Sequence, residues 1–234
     1  MIEAQNQLEI KPETGNSTKP LLPLVVGGLT ITCEDNMELM SRYPDNYFDL
    51  AIVDPPYGIS INMNMGLRKG KKKNHTVKKW DDATPTQEYF DELKRVSKNQ
   101  IIWGGNYFPL PLTKSWIFWD KKVPKGVDFA DGELAWTSFD KTLVKLDVPY
   151  SGFQGMDENG KIHPTQKPVK LYKNVLEKWG SEGMKILDTH LGSGSIAIAY
   201  HDYGFELIAC ELDTEYFEKA KQRIINHVAQ QSLF

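Results

Sequence analysis

The feature that most constrains the fold is an apolar run that stops in a rigid turn: Phe48-Asp49-Leu50-Ala51-Ile52-Val53 leads straight into Asp54-Pro55-Pro56-Tyr57-Gly58. A short apolar run of this kind reads as a buried strand. Proline has no N–H, and Pro56 biases Pro55 toward extended backbone, so the chain cannot leave this strand by curling into a helix. The strand therefore delivers a carboxylate, two prolines and an aromatic ring to the carboxyl edge of a sheet, where open α/β sheets bind their ligands. The Asp54 carboxylate and the Pro55 carbonyl are left as acceptors. A planar amino group, such as the exocyclic amine of adenine or cytosine, offers two N–H donors and a lone pair delocalised into its ring. Two acceptors hold both hydrogens and favour a pyramidal nitrogen, while Tyr57 offers a stacking face. The competing reading is a rigid strand exit with a capping Asp.

A second constellation has the order strand, glycine turn, helix. Met184-Lys185-Ile186-Leu187-Asp188 reads as a short strand, Thr189-His190-Leu191-Gly192-Ser193-Gly194-Ser195 as the turn, and Ile196 to Tyr200 as the start of a helix. Glycines in such a turn let backbone approach a bound nucleotide-like cofactor closely. Gly204 suits a helix C-cap, and the next strand, Phe205 to Cys210, ends in Glu211. An acid about 20 residues beyond a glycine turn is placed to bind ribose hydroxyls. Asp213 reads as the cap of the helix that follows, around residues 214 to 229. The turn lacks a full Gly-x-Gly-x-x-Gly, so alone it carries little weight.

A third element, His163-Pro164-Thr165-Gln166-Lys167-Pro168, leads into the amphipathic pattern Val169, Leu171, Tyr172, Val175, Leu176, Trp179. Pro168 suits a first helical turn. Lys167 lies beside that helix start and is expected to pair with a carboxylate of the cofactor; an ordinary loop entering a helix is the plainer reading.

These three motifs, in the order Asp-Pro-Pro-Tyr, His-Pro-Thr-Gln-Lys-Pro, Leu-Asp-x-x-x-Gly-x-Gly, resemble those of the β-class of amino-directed DNA methyltransferases, which use S-adenosylmethionine. The resemblance covers the chain from about residue 28 onward. It implies that Asp54, Pro55, Pro56 and Tyr57 hold a flipped-out base, and that the segment with His163, Pro164, Thr165 and Lys167 helps bind the methionine end. It further implies that Asp188, Gly192, Ser193, Gly194 and Glu211 cradle the cofactor. One departure stands out. The family commonly has Asp-Pro-Phe before the first glycine, and here His190 takes the aromatic position, with packing its expected use. The permuted order also leaves the carboxyl-terminal half in need of a further strand. Leu29 to Cys33 fits, with Asp35 then approaching the cofactor's adenine or simply capping a short helix.

Further strands are predicted at Gln100 to Trp103, Ser115 to Trp119 and Glu133 to Thr137, with a helix from Gln87 to Val96. Alternating strands and helices predict an α/β, doubly wound, mostly parallel sheet of the Rossmann-like type. The last two strands lack a helix between them, so one is expected to be antiparallel. Asn106 and Tyr107, at a strand end, are candidates to line a base pocket or to build the turn.

Composition sets the outer bounds. The 234 residues suit a single catalytic domain over 21–234, preceded by a loose polar tail over 1–20. No long apolar span or signal peptide is evident, and Cys33 and Cys210 read as buried thiols of an intracellular protein without metal-ligand spacing. A net charge of −3 argues against bulk electrostatic adhesion to nucleic acid. Locally the picture differs. The segment 59–82 carries Arg68, Lys69, Lys71, Lys72, Lys73, Lys78 and Lys79 just after the proline turn. A solvated loop and a loop that contacts DNA phosphates are both compatible with that charge. A short region over about 139–162 takes the place of the family's target-recognition segment. It suggests a brief recognition sequence, aided by a homodimer partner or by residues 121 to 132. The expected activity is methylation of adenine N6 in double-stranded DNA, with cytosine N4 as the nearest alternative and a non-catalytic nucleic-acid-binding subunit as the alternative of another class.

Overall fold

The computed structural model describes residues 21–59, 83–126, 130–150 and 162–231. The tail over 1–20, the basic residues from Arg68 to Lys79 and residues 151–161 of the expected recognition region lie outside the described residues.

Nine strands form one sheet in the order β1-β2-β9-β8-β3-β4-β6-β5-β7. They are β1 (Leu24–Val26), β2 (Leu29–Cys33), β3 (Leu50–Val53), β4 (Gln100–Trp103), β5 (Trp116–Asp120), β6 (Gly132–Thr137), β7 (Val144–Asp147), β8 (Lys185–Asp188) and β9 (Glu206–Glu211). All neighbouring pairs are parallel except β1 with β2 and β6 with its two partners, so β1 and β6 run against the other seven. This is the expected mostly parallel sheet, with β6 as the reversed strand. Two edge strands, β1 and β7, were not foreseen.

Helices cover both faces. Helix α1 (Asn36–Ser41) and α2 (Gln87–Val96) pack on one face, α3 (Val169–Trp179), α4 (Ser195–Tyr203) and α5 (Thr214–Gln231) on the other. In α2 the buried residues Tyr89, Phe90, Leu93 and Val96 recur at helical spacing, with Glu88 in the first turn and Lys94 and Arg95 in the last to suit the helix dipole. Helix α4 is buried around most of its circumference, because it lies between α3 and α5. Pro168 precedes α3 in extended backbone and does not enter its first turn.

The central strands are buried on both faces, with Leu50 and Ile52 facing the α3–α5 layer and Ala51 and Val53 the α1–α2 layer. That explains why β3 reads as a continuous apolar run rather than an alternating one. Chain order reverses between β3 and β8: β3 proceeds through α2 to β4 on one side, β8 through α4 to β9 on the other. The ends of β3 and β8 therefore flank a topological switch point, where a crevice opens at the carboxyl edge. No helix among the described residues is long and apolar enough to cross a membrane.

Candidate active site at the switch point

A cavity of about 560 Å³ occupies this edge, lined by residues from the ends of β2, β3, β8 and β9 and from the segment before α3. The structure brings together most of the catalytic and cofactor-binding candidates singled out in the sequence. Asp35, Asp54, Pro56, His163, Thr165, Lys167, His190, Gly192, Ser193 and Glu211 line it. Pro55, Tyr57, Pro164, Asp188 and Gly194 are not among its lining residues.

The acid rim is built by strand register. Strands β2 and β9 end side by side, with Cys33 paired to Glu211, so Glu34 and Asp35 emerge next to Glu211. The Glu211 carboxylate is held by backbone amides: Oε2 accepts from Gly192 N–H at 2.9 Å and Oε1 from Asp213 N–H at 2.9 Å. Burial pushes its carboxyl up, against the pull of those N–H donors. Asp35 does cap α1, its Oδ1 accepting from Met37 and Glu38 N–H, and it lines the cavity as well. Glu34 is clamped by Arg42 at 2.6 Å. Asp213 is the expected cap of α5, accepting from Glu215 and Tyr216 N–H.

The glycine turn serves two purposes. Gly192 lines the cavity with φ +54. Gly194 has φ +72, and a Cβ there would meet Ile224 and Ala220 at 3.1–3.4 Å, so its role is to let α5 pack against the start of α4. Asp188 sits beneath the turn, accepting from His190 N–H at 2.9 Å, and burial pushes its carboxyl up to about 8. His190 is pushed down to about 4 by burial, so the ring is neutral near pH 7. It is pinned between Asn36 at 3.2 Å and Thr189 at 2.9 Å and lies edge-on to Tyr89, which is packing rather than titration.

The proline turn is tied into a charge network around the buried Lys167 that sequence reasoning missed. Lys167, only 3% exposed, places Nζ 2.5 Å from Asp54 Oδ2 and 3.1 Å from Glu133 Oε2, while Lys121 binds the other Glu133 oxygen at 2.6 Å. The Tyr57 hydroxyl donates to Asp54 Oδ1 at 2.7 Å and accepts from Lys167 at 3.1 Å. Lys167 was expected to face a cofactor carboxylate; its ammonium is instead engaged by Asp54 and Glu133. Burial raises the Asp54 carboxyl, with Lys167 opposing and Glu133 reinforcing the rise. Burial also acts to raise Glu133, but the two ammoniums outweigh it and hold that carboxyl at about 2. For Lys167, burial alone would lower the ammonium; the paired carboxylates carry it up.

The Tyr57 ring is held by packing. It stacks on Tyr107 at 5.0 Å and 12°. Gly104, with φ +67, makes room for it, since a Cβ there would fall 2.2 Å from Tyr57 Cε1. Asn36, Thr189, Tyr172 and Tyr216 also line the cavity without having been expected there. Their signal is tertiary, as each belongs to a different element.

A family model described as DNA methylase, for N6 and N4 enzymes, matches residues 102–222. The match starts beyond the proline turn, so that turn rests on the geometry above. Among known proteins, the chain is similar to the type II methyltransferase M.HpaI of Haemophilus parainfluenzae, at 23% identity over 83% of this chain and 73% of that protein. It is also similar to the putative methylase YubD of Escherichia coli (strain K12), at 24% identity over 81% of this chain and 87% of that one. Among solved structures, the M1.HpyAVI–SAM complex superposes with a TM-score of 0.57 at 20% identity, covering 83% of this chain and 99% of that one. The cytosine-N4-specific PvuII DNA methyltransferase gives 0.52 at 13% identity, covering 86% and 92%. At such identities the structural likeness speaks for the fold. The family model, spanning more than half of the 234 residues, speaks for descent: the chain belongs to the N6/N4 family of DNA methylases.

Proposed function

We propose that this chain transfers a methyl group from S-adenosylmethionine to the N6 amine of adenine in double-stranded DNA. The observation that carries the reading is convergence: Asp54 and Pro56 of the proline turn line the same cavity as Gly192, Asp35 and Glu211. A cavity of about 560 Å³ lies within the usual size of small-ligand sites, roughly 300–1,000 Å³. Its donor set suits this cofactor. Glu211 and Asp35 are acceptors for hydroxyl and amino groups, Gly192 keeps backbone close to the cavity, and His163 and Thr165 offer polar contacts beside the glycine turn. Asp188, Ser193, Gly194 and Pro164 complete the proposed cofactor region, the first two through the shape and polarity of the turn, the others through packing.

When bound, S-adenosylmethionine supplies an electrophilic methyl on a sulfonium. The chain's own groups do the rest. Asp54 and the Pro55 carbonyl accept the two amine hydrogens, orient the nitrogen lone pair toward the cofactor region, and Asp54 receives the proton the nitrogen gives up. Pro56 fixes the turn, and Tyr57 stacks on the base once it has left the duplex. Tyr107, which now covers a face of Tyr57 and is 46% exposed, moves aside or sandwiches the base. Arg68, Lys69, Lys71, Lys72, Lys73, Lys78 and Lys79, close in sequence to that turn, are proposed to contact phosphates.

Adenine is preferred over cytosine N4 because the resembled family pairs Asp at this position with adenine. The same acceptors suit either amine. Incubating the purified chain with unmethylated DNA and methyl-labelled cofactor, followed by nucleoside mass spectrometry, decides the matter. The expected product is N6-methyladenine; N4-methylcytosine would replace the base assignment, and no labelled nucleoside would overturn the reading.

A further inference from the structure

We propose that Glu133 is a positioning residue for methyl transfer, acting through Lys167 to fix the direction and charge of the Asp54 carboxylate. This rests on the reading of Asp54 as the group that accepts the target amine.

The placement of Glu133 follows from the one direction reversal inside the sheet. Because β6 runs against β4 and β5, its beginning lies at the edge where its neighbours end. Glu133, the second residue of β6, thereby reaches the same edge as Asp54, the residue after β3, though 79 positions separate them. Side chains alternate along a strand. Glu133 thus shares a face with Ala135, which packs in the cluster that includes α3, and Lys167 comes from the segment just before α3.

The resulting arrangement is one ammonium shared by two carboxylates. Lys167 touches both Asp54 and Glu133, and Glu133 is held from its other oxygen by Lys121. Two consequences follow. First, Asp54 has both oxygens engaged, one by Lys167 and one by Tyr57, so an amine that binds it competes with those donors. Glu133 lets Lys167 loosen its hold on Asp54 without becoming a buried ammonium with no counter-charge, a costly state. Second, the two carboxylates and two ammoniums sum to zero. Removing Glu133 leaves a net positive site beside a nitrogen that gains positive charge as it is methylated, which disfavours the transition state.

The groups facing Asp54 come from every side: Tyr57 from its own turn, Lys167 before α3, Tyr172 on α3, Glu133 on β6 and Asp188 on β8. Among them Glu133 reinforces the rise of the Asp54 carboxyl and Lys167 opposes it. Neutralising Glu133 leaves Lys167 to Asp54 alone, and the Asp54 carboxyl then falls.

The test compares wild type, Glu133→Gln, Glu133→Asp and Asp54→Ala in single-turnover methyl transfer with DNA and cofactor saturating, across pH, with cofactor affinity from calorimetry. Glu133→Gln keeps the shape and the oxygen toward Lys121, so it is expected to fold. Misplacement of a reacting group by about 1 Å can cost about 100-fold; a loss of about 10- to 100-fold is therefore expected for Glu133→Gln. The acid limb of its pH–rate profile should move to lower pH, with cofactor affinity unchanged, and Glu133→Asp should recover most of the rate. A Glu133→Gln enzyme with wild-type rate and an unmoved acid limb overturns the proposal. So does a rate loss matched by loss of cofactor affinity with the limb unmoved. An Asp54→Ala enzyme that still turns over, or a wild type that methylates no DNA, instead overturns the reading on which the proposal rests, and the proposal with it.

Discussion

Two half-buried carboxylates stand at the same sheet edge in different company. Glu211 is held by the N–H groups of Gly192 and Asp213; Asp54 is held by the Lys167 ammonium and the Tyr57 hydroxyl. Backbone amides are fixed by the turn that carries them, stay put whatever the pH, and bring no full charge. Side-chain donors can swing away, and an ammonium changes the charge of its surroundings. The first arrangement suits a group that must hold a ligand in one place. The second suits a group whose partners shift during a reaction. The comparison teaches that burial alone does not tell the roles apart; the source of the hydrogen-bond donors does.

The sharpest way to break this contrast is Asp54→Ala. Methyl transfer should fall by at least about 100-fold, the low end for a group engaged in proton transfer, while calorimetric cofactor affinity shifts only a few-fold. A parallel collapse of both would merge the two clusters into one. Next in size is Glu211→Ala. Hydrogen bonds to a charged group contribute about 1.5–3 kcal/mol, so cofactor affinity should weaken by about 10- to 150-fold, with the single-turnover rate at saturating cofactor much less affected. Unchanged affinity would place the acid-rim contacts elsewhere.

Asp188 lies between the two clusters and tests what burial does without an ammonium contact. Its carboxyl rises from an ordinary 3.8 to about 8 on folding. The native state therefore keeps a proton that the unfolded chain has lost, and stability should fall as pH rises from about 4 to 8. In Asp188→Asn, whose side-chain carbonyl still accepts from His190 N–H, that slope should flatten, so the melting temperature at pH 8 gains on wild type. An identical pH slope in both proteins would contradict the assignment. The smallest effect is expected for Tyr107→Ala. An aromatic pair contributes about 0.5–1.5 kcal/mol beyond its area, so kcat/KM for DNA should drop by about 2- to 10-fold, with Tyr107→Phe near wild type. A Tyr107→Ala enzyme faster than wild type would mean that the stack must be undone before the base can enter.

The sequence made the parallel half of the sheet readable because its strands are continuous apolar runs closed by unmistakable turn residues. Strands β3, β8 and β9 and helices α2, α3 and α5 fall within a residue or two of their expected places. The edges were harder. Strand β1 has three residues, and β7 buries only Leu146 of its four, so neither leaves an apolar run to find. At the site, single elements were legible and their pairing was not. Lys167 was recognised as important, but its engagement by Asp54 and Glu133 was not foreseen; the missing helix signalled that one of two neighbouring strands is reversed, yet nothing in Gly132-Glu133-Leu134 signals that this acid meets Lys167 beside the proline turn. His190 shows the converse. Its departure from the family pattern was plain, but only the contacts to Asn36, Thr189 and Tyr89 reveal that a neutral ring fills the aromatic position.

The pairing of β2 with β9 has a consequence for how the chain comes into being. Cys33 lies opposite Glu211, so the acid rim forms only when segments almost 180 residues apart meet. Contacts of such sequence separation are slow to form, because the loop they close must be ordered before the contact rewards it. On the ribosome, β2 emerges long before its partner and waits with one edge unpaired, a state exposed to aggregation. A ligand seated between the two strand ends would act as a clasp on this late closure, raising the stability of the folded chain in proportion to the logarithm of its concentration above its Kd.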